Sequence, residues 1–416
     1  MTAHLLQPIG LKSQTLNFRV LPSLSLYIHI PWCVRKCPYC DFNSHEVRAV
    51  LPEREYVAAL IRDLELALPL VWGRKVYTVF FGGGTPSLLS GESVAEILSN
   101  VRMLLPLDLG AEITLEANPG TVEAERFAAY REAGVNRLSL GIQSFSDTHL
   151  QALGRIHSAA DARNAISIAQ RHFDNINLDL IYALPGQLPE QALQDVRTAL
   201  AFAPQHLSVY HLTLEPNTLF HRNPPALPDD DDSGEMQQRI EELLAANGYR
   251  HYETSAFALP GRRSRHNLNY WMFGDYLGIG AGAHSKLSFP DKVIRQMRHK
   301  QPQTYLRQVA GGAPLQSENA VGPAELKFEF MMNALRLNEG FDSDLFQQRT
   351  SLPLLGIRRE LAEAEKRGLL VRTLRPEGAQ PSAAEAAGRS ALHSHIAPTQ
   401  MGQRFLNDLL GIFLPR

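Results

Sequence analysis

Three cysteines form the group of residues best suited to chemistry. Cys33, Cys37 and Cys40 fall within eight residues and are the only cysteines in the 416-residue chain. Their CxxxCxxC spacing puts three thiolates on one short loop, where they can hold three irons of a cubane [4Fe–4S] cluster. The fourth iron of such a cluster has no protein ligand and stays open to a small molecule, as the open position of a catalytic zinc does.

Zinc is the main alternative to a cluster, with the three cysteines and either His29 or His45 as the fourth ligand. Zinc sites usually show paired CxxC spacings, which this sequence lacks. Three unrelated buried thiols are a further alternative, although unrelated cysteines rarely cluster in this way. The small, odd number of cysteines argues against a secreted disulfide framework and favours a reducing cytoplasm.

The cysteines directly follow the first of six short β-branched or aromatic runs, which alternate with stretches of helical period. This alternation predicts an α/β fold built from successive βα units, and six units predict a partial (βα)6 barrel of the TIM type. The predicted strands are 24–30, 76–81, 112–117, 137–143, 176–183 and 206–214. The cysteine loop then lies at the C-terminal face of the barrel, where active sites of such barrels lie.

A glycine run ends the second predicted strand. Gly82, Gly83 and Gly84 precede Thr85, and glycines let a backbone approach a ligand closely and direct its N–H groups at an anion. A glycine run by itself is as often a simple turn, so its position at a strand end is what favours a ligand site.

Polar residues follow the later strands in the same way. Glu116, Gln143 and Asp179 lie at or near strand ends, and Arg155 could supply a cation for a carboxylate. A carboxylate in the apolar run around Asp179 is costly to bury unless it is paired or functional. Each residue alone has the ordinary alternative of a cap or a salt bridge, but their recurrence at successive strand ends predicts one shared site.

With these motifs the chain resembles the radical S-adenosylmethionine (SAM) superfamily. The resemblance implies a partial (βα)6 barrel, a [4Fe–4S] cluster on the three cysteines, and SAM bound to the open iron. The strings YIHIPWC, GGGTPS, EANPG, GIQSF, LGRIH and LDLIYALPG are similar to those of oxygen-independent coproporphyrinogen dehydrogenase and its relatives. The residues that the resemblance places against SAM are Tyr27, Tyr39, Gly83, Gly84, Thr85, Glu116, Gln143, Arg155 and Asp179.

Two functions share this scaffold, and residue 42 distinguishes them. The dehydrogenase carries a fourth cysteine two residues after the third, whereas this sequence has Phe42. The strings CDFNSH and HNLNYW instead resemble the haem chaperone branch, whose members bind haem and deliver it to apo haem proteins such as membrane-bound respiratory enzymes. The resemblance implies a haem chaperone with no catalytic residue of its own. The alternative is a radical-SAM oxidoreductase that acts on a porphyrinogen.

His266 is the candidate haem ligand in the HNLNYW string. An imidazole nitrogen can ligate haem iron, and the neighbouring Tyr270 and Trp271 could pack on a porphyrin face. The alternative is a hydrogen-bonded core segment beside the barrel.

Composition limits the classes of partner and the location. Lys and Arg number 41 against 43 Asp and Glu, for a net charge of −2, so the chain lacks the basic field of a general nucleic-acid binder. No apolar run approaches the roughly 20 residues of a transmembrane helix, and no signal peptide is recognisable. We expect a cytoplasmic protein, or one peripheral to the inner face of the membrane.

The composition also changes along the chain and predicts four segments. They are a loose extension over 1–22, a radical-SAM core over 23–215, a barrel-flanking linker region over 216–320, and a helical C-terminal domain over 321–416 with a flexible insertion at 376–395. The C-terminal domain could cover the barrel mouth or dock a partner. Four aspartates at 229–232 are expected to cap a helix, with a cation site as the alternative.

Overall fold

The structure is a computed structural model that describes residues 16–47, 50–121, 124–374 and 394–415. Its largest feature is a twelve-stranded sheet. The strands of the first half are β1 Leu24–Ile30, β2 Trp32–Cys33, β3 His45–Glu46, β4 Val76–Gly83, β5 Leu107–Ala117, β6 Arg137–Gln143, β7 Ile176–Tyr182 and β8 His206–His211. The helices among and after them are α1 Glu53–Val71, α2 Gly91–Leu104, α3 Ala124–Ala133, α4 Asp147–Ala152, α5 Ala159–His172, α6 Pro189–Leu200, α7 Leu219–Arg222 and α8 Asp230–Ala246.

Six parallel strands form the centre of the sheet, in the order β1, β4, β5, β6, β7, β8. They are the six strands predicted from the sequence, and helices cover them as the alternating pattern requires. The strands are apolar and almost continuously buried, as expected of a parallel sheet packed between other elements. The predicted α/β fold is confirmed, and the barrel is partial because the sheet keeps two free ends.

The region 216–320, expected to be a linker, contributes six strands to the same sheet. Its elements are β9 Arg250–Glu253, β10 Ala256–Ala258, α9 Arg265–Trp271, β11 Asp275–Ile279, β12 His284–Ser288, β13 Val293–Arg298, α10 Pro302–Ala310 and β14 Leu315–Ala320. Strand β11 pairs in parallel with β1, and β12 to β14 continue from it in antiparallel order. At the other end, β10 and β9 extend the sheet beyond β8. The expected boundaries at 215 and 320 stay predictions.

The C-terminal part combines helices with a small sheet that the sequence did not indicate. Its elements are α11 Pro323–Ala334, β15 Phe341–Asp342, α12 Ser343–Thr350, α13 Arg358–Lys366, β16 Leu370–Leu374, β17 Ser394–Pro398, α14 Gln400–Arg404 and α15 Leu406–Gly411. The strand order is β15, β17, β16. The two residues of β15 leave no readable alternation, and β17 begins inside the segment 376–395 that was expected to be flexible. The insertion at 376–395 lies outside the described residues, except for its last two, which belong to β17.

The two largest hydrophobic cores among the described residues support these parts. The larger lies between the main sheet and its helices, and the smaller gathers the apolar side chains of the C-terminal part. Leu16 and Phe18, from the expected N-terminal extension, are buried in the smaller core. The first fifteen residues lie outside the described part of the chain.

Two sequence expectations concern local features of the helices. The Asp229 side chain accepts a hydrogen bond of 2.8 Å from the Asp232 backbone N–H and begins α8, which agrees with the expected helix cap. Within the described residues, no helix is long and apolar enough to cross a membrane.

Candidate functional site

The cysteine loop is held between short strands at the C-terminal end of β1. Cys33 ends β2, which pairs with β3, and its carbonyl accepts a hydrogen bond from Val47 N–H at 3.0 Å. Lys36 Nζ donates to the carbonyls of Phe42 at 3.0 Å and Ser44 at 3.2 Å. These bonds brace the loop from within, so its three thiols are presented on a defined backbone.

The donor set of the loop fits a [4Fe–4S] cluster. Cys33, Cys37 and Cys40 are free, half-buried thiols that line one cavity. Burial raises the pKa of the Cys33 and Cys40 thiols, so iron binding would be needed to hold them as thiolates. Arg155 Nη1 lies 3.7 Å from Cys37 Sγ, within hydrogen-bond distance of a sulfur acceptor.

A single metal ion fits this region less well. Within the described ranges, no three His, Cys, Asp or Glu side chains converge as one metal ion would require. A cubane makes a different demand, because each cysteine binds a separate iron. His29, one of the two histidines considered for zinc, has both ring nitrogens in hydrogen bonds, to Tyr27 OH at 3.0 Å and to the Asn43 carbonyl at 2.9 Å.

Nearly all of the predicted site residues line the cavity that holds the cysteines. Its volume is about 480 Å³, within the range of ordinary small-molecule sites. Besides the three cysteines, the predicted residues that line it are Tyr39, Gly83, Gly84, Thr85, Glu116, Gln143, Arg155 and Asp179. They meet there because the C-terminal ends of adjacent parallel strands lie at one edge of the sheet.

The glycines at the end of β4 are required by close approach. Gly83 has a φ of +111°, and a Cβ there would lie 2.5 Å from the His29 ring. A Cβ on Gly84 would lie 2.5 Å from the Trp32 carbonyl oxygen. Gly84 N–H donates to the Ile30 carbonyl at 2.7 Å, and Thr85 N–H donates to the Trp32 carbonyl at 2.7 Å. The glycine run therefore joins β4 to the start of the cysteine loop.

Two carboxyl groups face the cavity from β5 and β7. Burial, and then the nearby Asp179 charge, raise the pKa of Glu116 to about 8, although the Gly83 N–H donates to Glu116 Oε2 at 3.3 Å. Burial also raises the pKa of Asp179, whose carboxylate accepts hydrogen bonds from Ser139 Oγ at 3.0 Å and Asn177 Nδ2 at 2.8 Å. This pair offers hydrogen-bond acceptors, and a donor when Glu116 is protonated, to hydroxyl or amino groups of a ligand.

Gln143 and Arg155 occupy the middle of the sheet edge. Gln143 ends β6 with a φ of +67°, a left-handed conformation that non-glycine residues adopt mainly where surrounding structure enforces it. Arg155 Nη2 donates to the Gly141 carbonyl at 2.8 Å, and Arg155 Nε is buried with no hydrogen-bond partner among the described residues. The guanidinium thus retains an unused donor beside the cavity.

The two tyrosines predicted at the site lie on different sides of it. Tyr39 lines the cysteine cavity and packs near Phe220, with ring centroids 6.4 Å apart. Tyr27 lines a neighbouring cavity, which shares Gly83 and Glu116 with the first. Tyr27 therefore contacts the site from behind the glycine run and not from within the cysteine cavity.

Several residues that line the cysteine cavity were missed by the sequence reasoning. Tyr210, Thr213 and Glu215 follow or end β8, the last parallel strand. The rule that found Glu116 and Gln143, polar residues at strand ends, would also have found them in the string HLSVYHLTLE.

His266 lines neither cavity. Its side chain is buried, with Nδ1 hydrogen bonded to Thr78 Oγ1 at 2.7 Å and Nε2 to Tyr270 OH at 3.1 Å. The ring also stacks on Phe80, with centroids 4.9 Å apart. Both ring nitrogens are thus engaged, as in the alternative of a hydrogen-bonded core segment, and the role of His266 as a haem ligand stays a prediction.

Comparison with known proteins identifies the relatives of this chain. The profile of the radical SAM superfamily matches residues 27–199, and that of the HemN C-terminal domain matches residues 322–374. The chain is 47% identical over 396 residues to "Heme chaperone HemW" of Escherichia coli (strain K12), which covers 95% of this chain and 99% of that protein. It is 45% identical over 400 residues to "Heme chaperone HemW" of Haemophilus influenzae (strain ATCC 51907 / DSM 11121 / KW20 / Rd), covering 95% and 98%.

A solved structure supports the same placement at the level of the fold. Coproporphyrinogen III oxidase (HemN) from Escherichia coli, a radical SAM enzyme, matches with a TM-score of 0.76 at 23% identity, over 94% of this chain and 90% of that one. Similarity of this kind shows the shared fold. The sequence identity to the two HemW proteins, 47% and 45%, is about twice the 23% identity to HemN. The chain therefore belongs to the HemW family within the radical SAM superfamily.

Proposed function

We propose that this protein is a haem chaperone, which binds haem and transfers it to apo haem proteins. The observation that carries the proposal is the 47% identity to a heme chaperone of which the chain covers 99%. Haem is the cargo in this function, and the resident cofactors are a [4Fe–4S] cluster and SAM, as the radical SAM superfamily implies. We further propose a cytoplasmic location, with respiratory enzymes at the inner face of the membrane among the recipients.

The residues of the first cavity divide between the two cofactors. Cys33, Cys37 and Cys40 hold three irons, and the loop bonds around them keep the thiols in place. The residues proposed for SAM are Tyr27, Tyr39, Gly83, Gly84, Thr85, Glu116, Gln143, Arg155 and Asp179. When bound, the cluster and SAM supply one-electron chemistry. The chain's own part is to orient SAM through strand-end donors and acceptors and to exclude water from the cavity.

The alternative function is a radical-SAM oxidoreductase of the coproporphyrinogen dehydrogenase type. The intact cavity favours it, since all three cysteines and the strand-end residues needed for a radical-SAM site are present. Phe42, 57% exposed on the cysteine loop, argues against it because the resembling enzyme carries a cysteine at this position.

An anaerobic assay separates the two functions. The reconstituted protein is incubated with coproporphyrinogen III, SAM and a reductant, beside an authentic dehydrogenase, and products are read by mass spectrometry. We expect no decarboxylation by this protein while the control turns over. Loss of two carboxyl groups at a catalytic rate would refute the chaperone proposal.

A transfer assay tests the chaperone function directly. The haem-loaded protein is mixed with an apo haem protein, and the spectrum of the recipient is followed. We expect the triple Cys33→Ala, Cys37→Ala, Cys40→Ala variant to bind haem like the wild type but to transfer it at a changed rate, because the cluster and SAM would control release. Identical transfer by the variant would contradict this control.

A further inference from the structure

A second cavity of about 610 Å³ adjoins the cysteine cavity. The two share Asp41, Phe42, Ser44, Gly83 and Glu116, so they are separated only by the side chains and backbone of the loop and the glycine run. The second cavity lies within the size range of ordinary ligand sites. The cysteines do not line it, so it is available for a ligand other than the cluster.

Aromatic rings provide flat apolar surface in this second cavity. Tyr27, Tyr270 and Tyr276 line it, and the last two pack edge to face with centroids 4.6 Å apart. Phe42 joins them from the loop shared by the two cavities and is largely exposed. Rings of this kind pack favourably on a planar conjugated ligand such as a tetrapyrrole.

Three histidines line the same cavity, and their hydrogen bonds differ. His29 has both ring nitrogens engaged, as described above. His45 Nε2 has no hydrogen-bond partner in the described part of the chain, but the atom is enclosed by its surroundings. His284, at the start of β12, is exposed, and no side-chain hydrogen bond to the described residues holds its ring. His284 is therefore the imidazole best able to bind a metal from a ligand in the cavity.

The lining of the cavity contains two lysines that can pair with anionic groups of a ligand. Lys36 and Lys300 both line it, and Lys36 Nζ donates to backbone carbonyls and not to a carboxylate. Lys300 is exposed, and its ammonium forms no ion pair with the residues that the structure describes. Asp41 and Glu116 are the acidic groups of the lining. Two lysines can pair with the two propionates that haem carries.

From this arrangement we propose that the second cavity is the haem site, with His284 as the ligand of the haem iron. Tyr270 and Tyr276 contact the macrocycle, and Lys300 pairs with a propionate. Imidazole is a standard axial ligand of haem iron. This inference rests on the proposed chaperone function and adds to it the place and the ligand of the cargo, beside the cysteine cavity.

The HNLNYW string acquires a different role in this arrangement. His266 Nε2 is hydrogen bonded to Tyr270 OH at 3.1 Å, and Tyr270 lines the second cavity. His266 is thus a positioning residue that fixes the orientation of an aromatic ring against the haem. The string that suggested haem binding contacts the proposed site through its tyrosine.

The test is a haem titration of the full-length protein, followed by visible absorption and electron paramagnetic resonance. We expect the wild type to show a histidine-ligated spectrum and the His284→Gln variant to lose that spectrum and bind haem more weakly, because glutamine does not replace imidazole as a ligand of haem iron. The matched control is His45→Gln, which should keep the wild-type spectrum. Far-ultraviolet circular dichroism and reconstitution of the cluster verify that each variant is folded.

A second variant makes the assignment independent of misfolding. In His284→Gly the missing imidazole is replaced by free imidazole, which should restore the histidine-ligated spectrum. The same spectrum and affinity in wild type and His284→Gln, or loss of the spectrum in His45→Gln alone, would overturn the site while leaving the chaperone function intact. Absence of haem binding by the wild type would overturn both the site and the function.

Discussion

At the residue scale, Gly83 both adopts a backbone conformation that favours glycine and lines the cysteine cavity. Its φ of +111° excludes most side chains, and a Cβ would lie 2.5 Å from the His29 ring. We expect Gly83→Ala to lower the free energy of unfolding by about 3 kcal/mol, since strain and overpacking add. Gly186→Ala, with a φ of +68° and no atom within 4 Å, should cost only about 1 kcal/mol. Urea unfolding of both variants measures the difference, and equal losses would contradict the close-approach argument.

The Glu116 carboxyl leads to a pH-dependent prediction at the same scale. Its folded pKa of about 8 lies above the ordinary value of 4.5, because burial and Asp179 disfavour the charged form. Between pH 4.5 and about 8, the folded protein therefore retains a proton that the unfolded chain releases. The contribution of this group to the free energy of unfolding is fully present below pH 4.5 and is lost as the pH rises to about 8. Glutamine does not ionise.

Below pH 4.5, we expect the free energy of unfolding of the Glu116→Gln variant to vary with pH as that of the wild type does. From pH 4.5 to about pH 8, the variant should become progressively more stable than the wild type. Chemical unfolding of the cofactor-free proteins across this range provides the comparison. A stability difference that does not change with pH would show that the carboxyl is not shifted.

At the scale of elements, Asp63 on α1 links the first helix of the core to the strands added beside β1. Its carboxylate accepts hydrogen bonds from Gly280 N–H at 3.1 Å and Tyr305 OH at 2.9 Å, and it pairs with the buried Arg298 at 3.3 Å. One side chain thus joins α1 to the loop after β11, to β13 and to α10. This explains how the strands added beside β1 are fixed against the first helix of the core.

Removal of this carboxylate should be severe. Asp63→Ala leaves the Arg298 guanidinium buried without its partner, which typically costs about 3–5 kcal/mol. The matched control is Asp108→Ala, which removes a surface ion pair with Lys75 and a hydrogen bond from Gly110 N–H and should change stability by about 1 kcal/mol or less. Thermal and urea unfolding are the measurements. A small effect of Asp63→Ala would mean that the network does not hold these elements together.

At the scale of the whole molecule, the N-terminal segment is packed onto the second core. Phe18 is 6% exposed, and its backbone N–H donates to the Pro290 carbonyl at 2.8 Å. Asn17 N–H donates to Ser351 Oγ at 2.7 Å. Residues that precede β1 therefore connect the main sheet to the C-terminal part.

Phe18→Ala should accordingly destabilise the protein by about 3–5 kcal/mol, because it removes a buried aromatic ring and leaves a cavity. Val20→Ala, two residues away and 80% exposed, is the control and should have little effect. Both are measured by urea unfolding with a probe in the C-terminal part. Equal stability of the two variants would indicate that the segment packs only loosely.

Features of the molecule that depend on neighbouring residues could be predicted from the sequence. The sequence predicted the cluster loop, the six parallel strands and the polar residues at the strand ends, because each of these depends on a pattern of residues close together in the chain. The parallel arrangement then brings Cys33, Glu116 and Gln143 to one cavity, since the carboxyl ends of such strands share an edge.

Only the tertiary structure decided the rest, because pairing between distant segments leaves no local signal. The strands of 216–320 take their place in the sheet through contacts with β1 and β8, which lie far away in the sequence. His266 has the chemistry of a haem ligand, but its hydrogen bonds to Thr78 and Tyr270 exist only in the folded chain. The second cavity joins residues as far apart as Tyr27, His45 and His284, and no sequence pattern predicts that meeting.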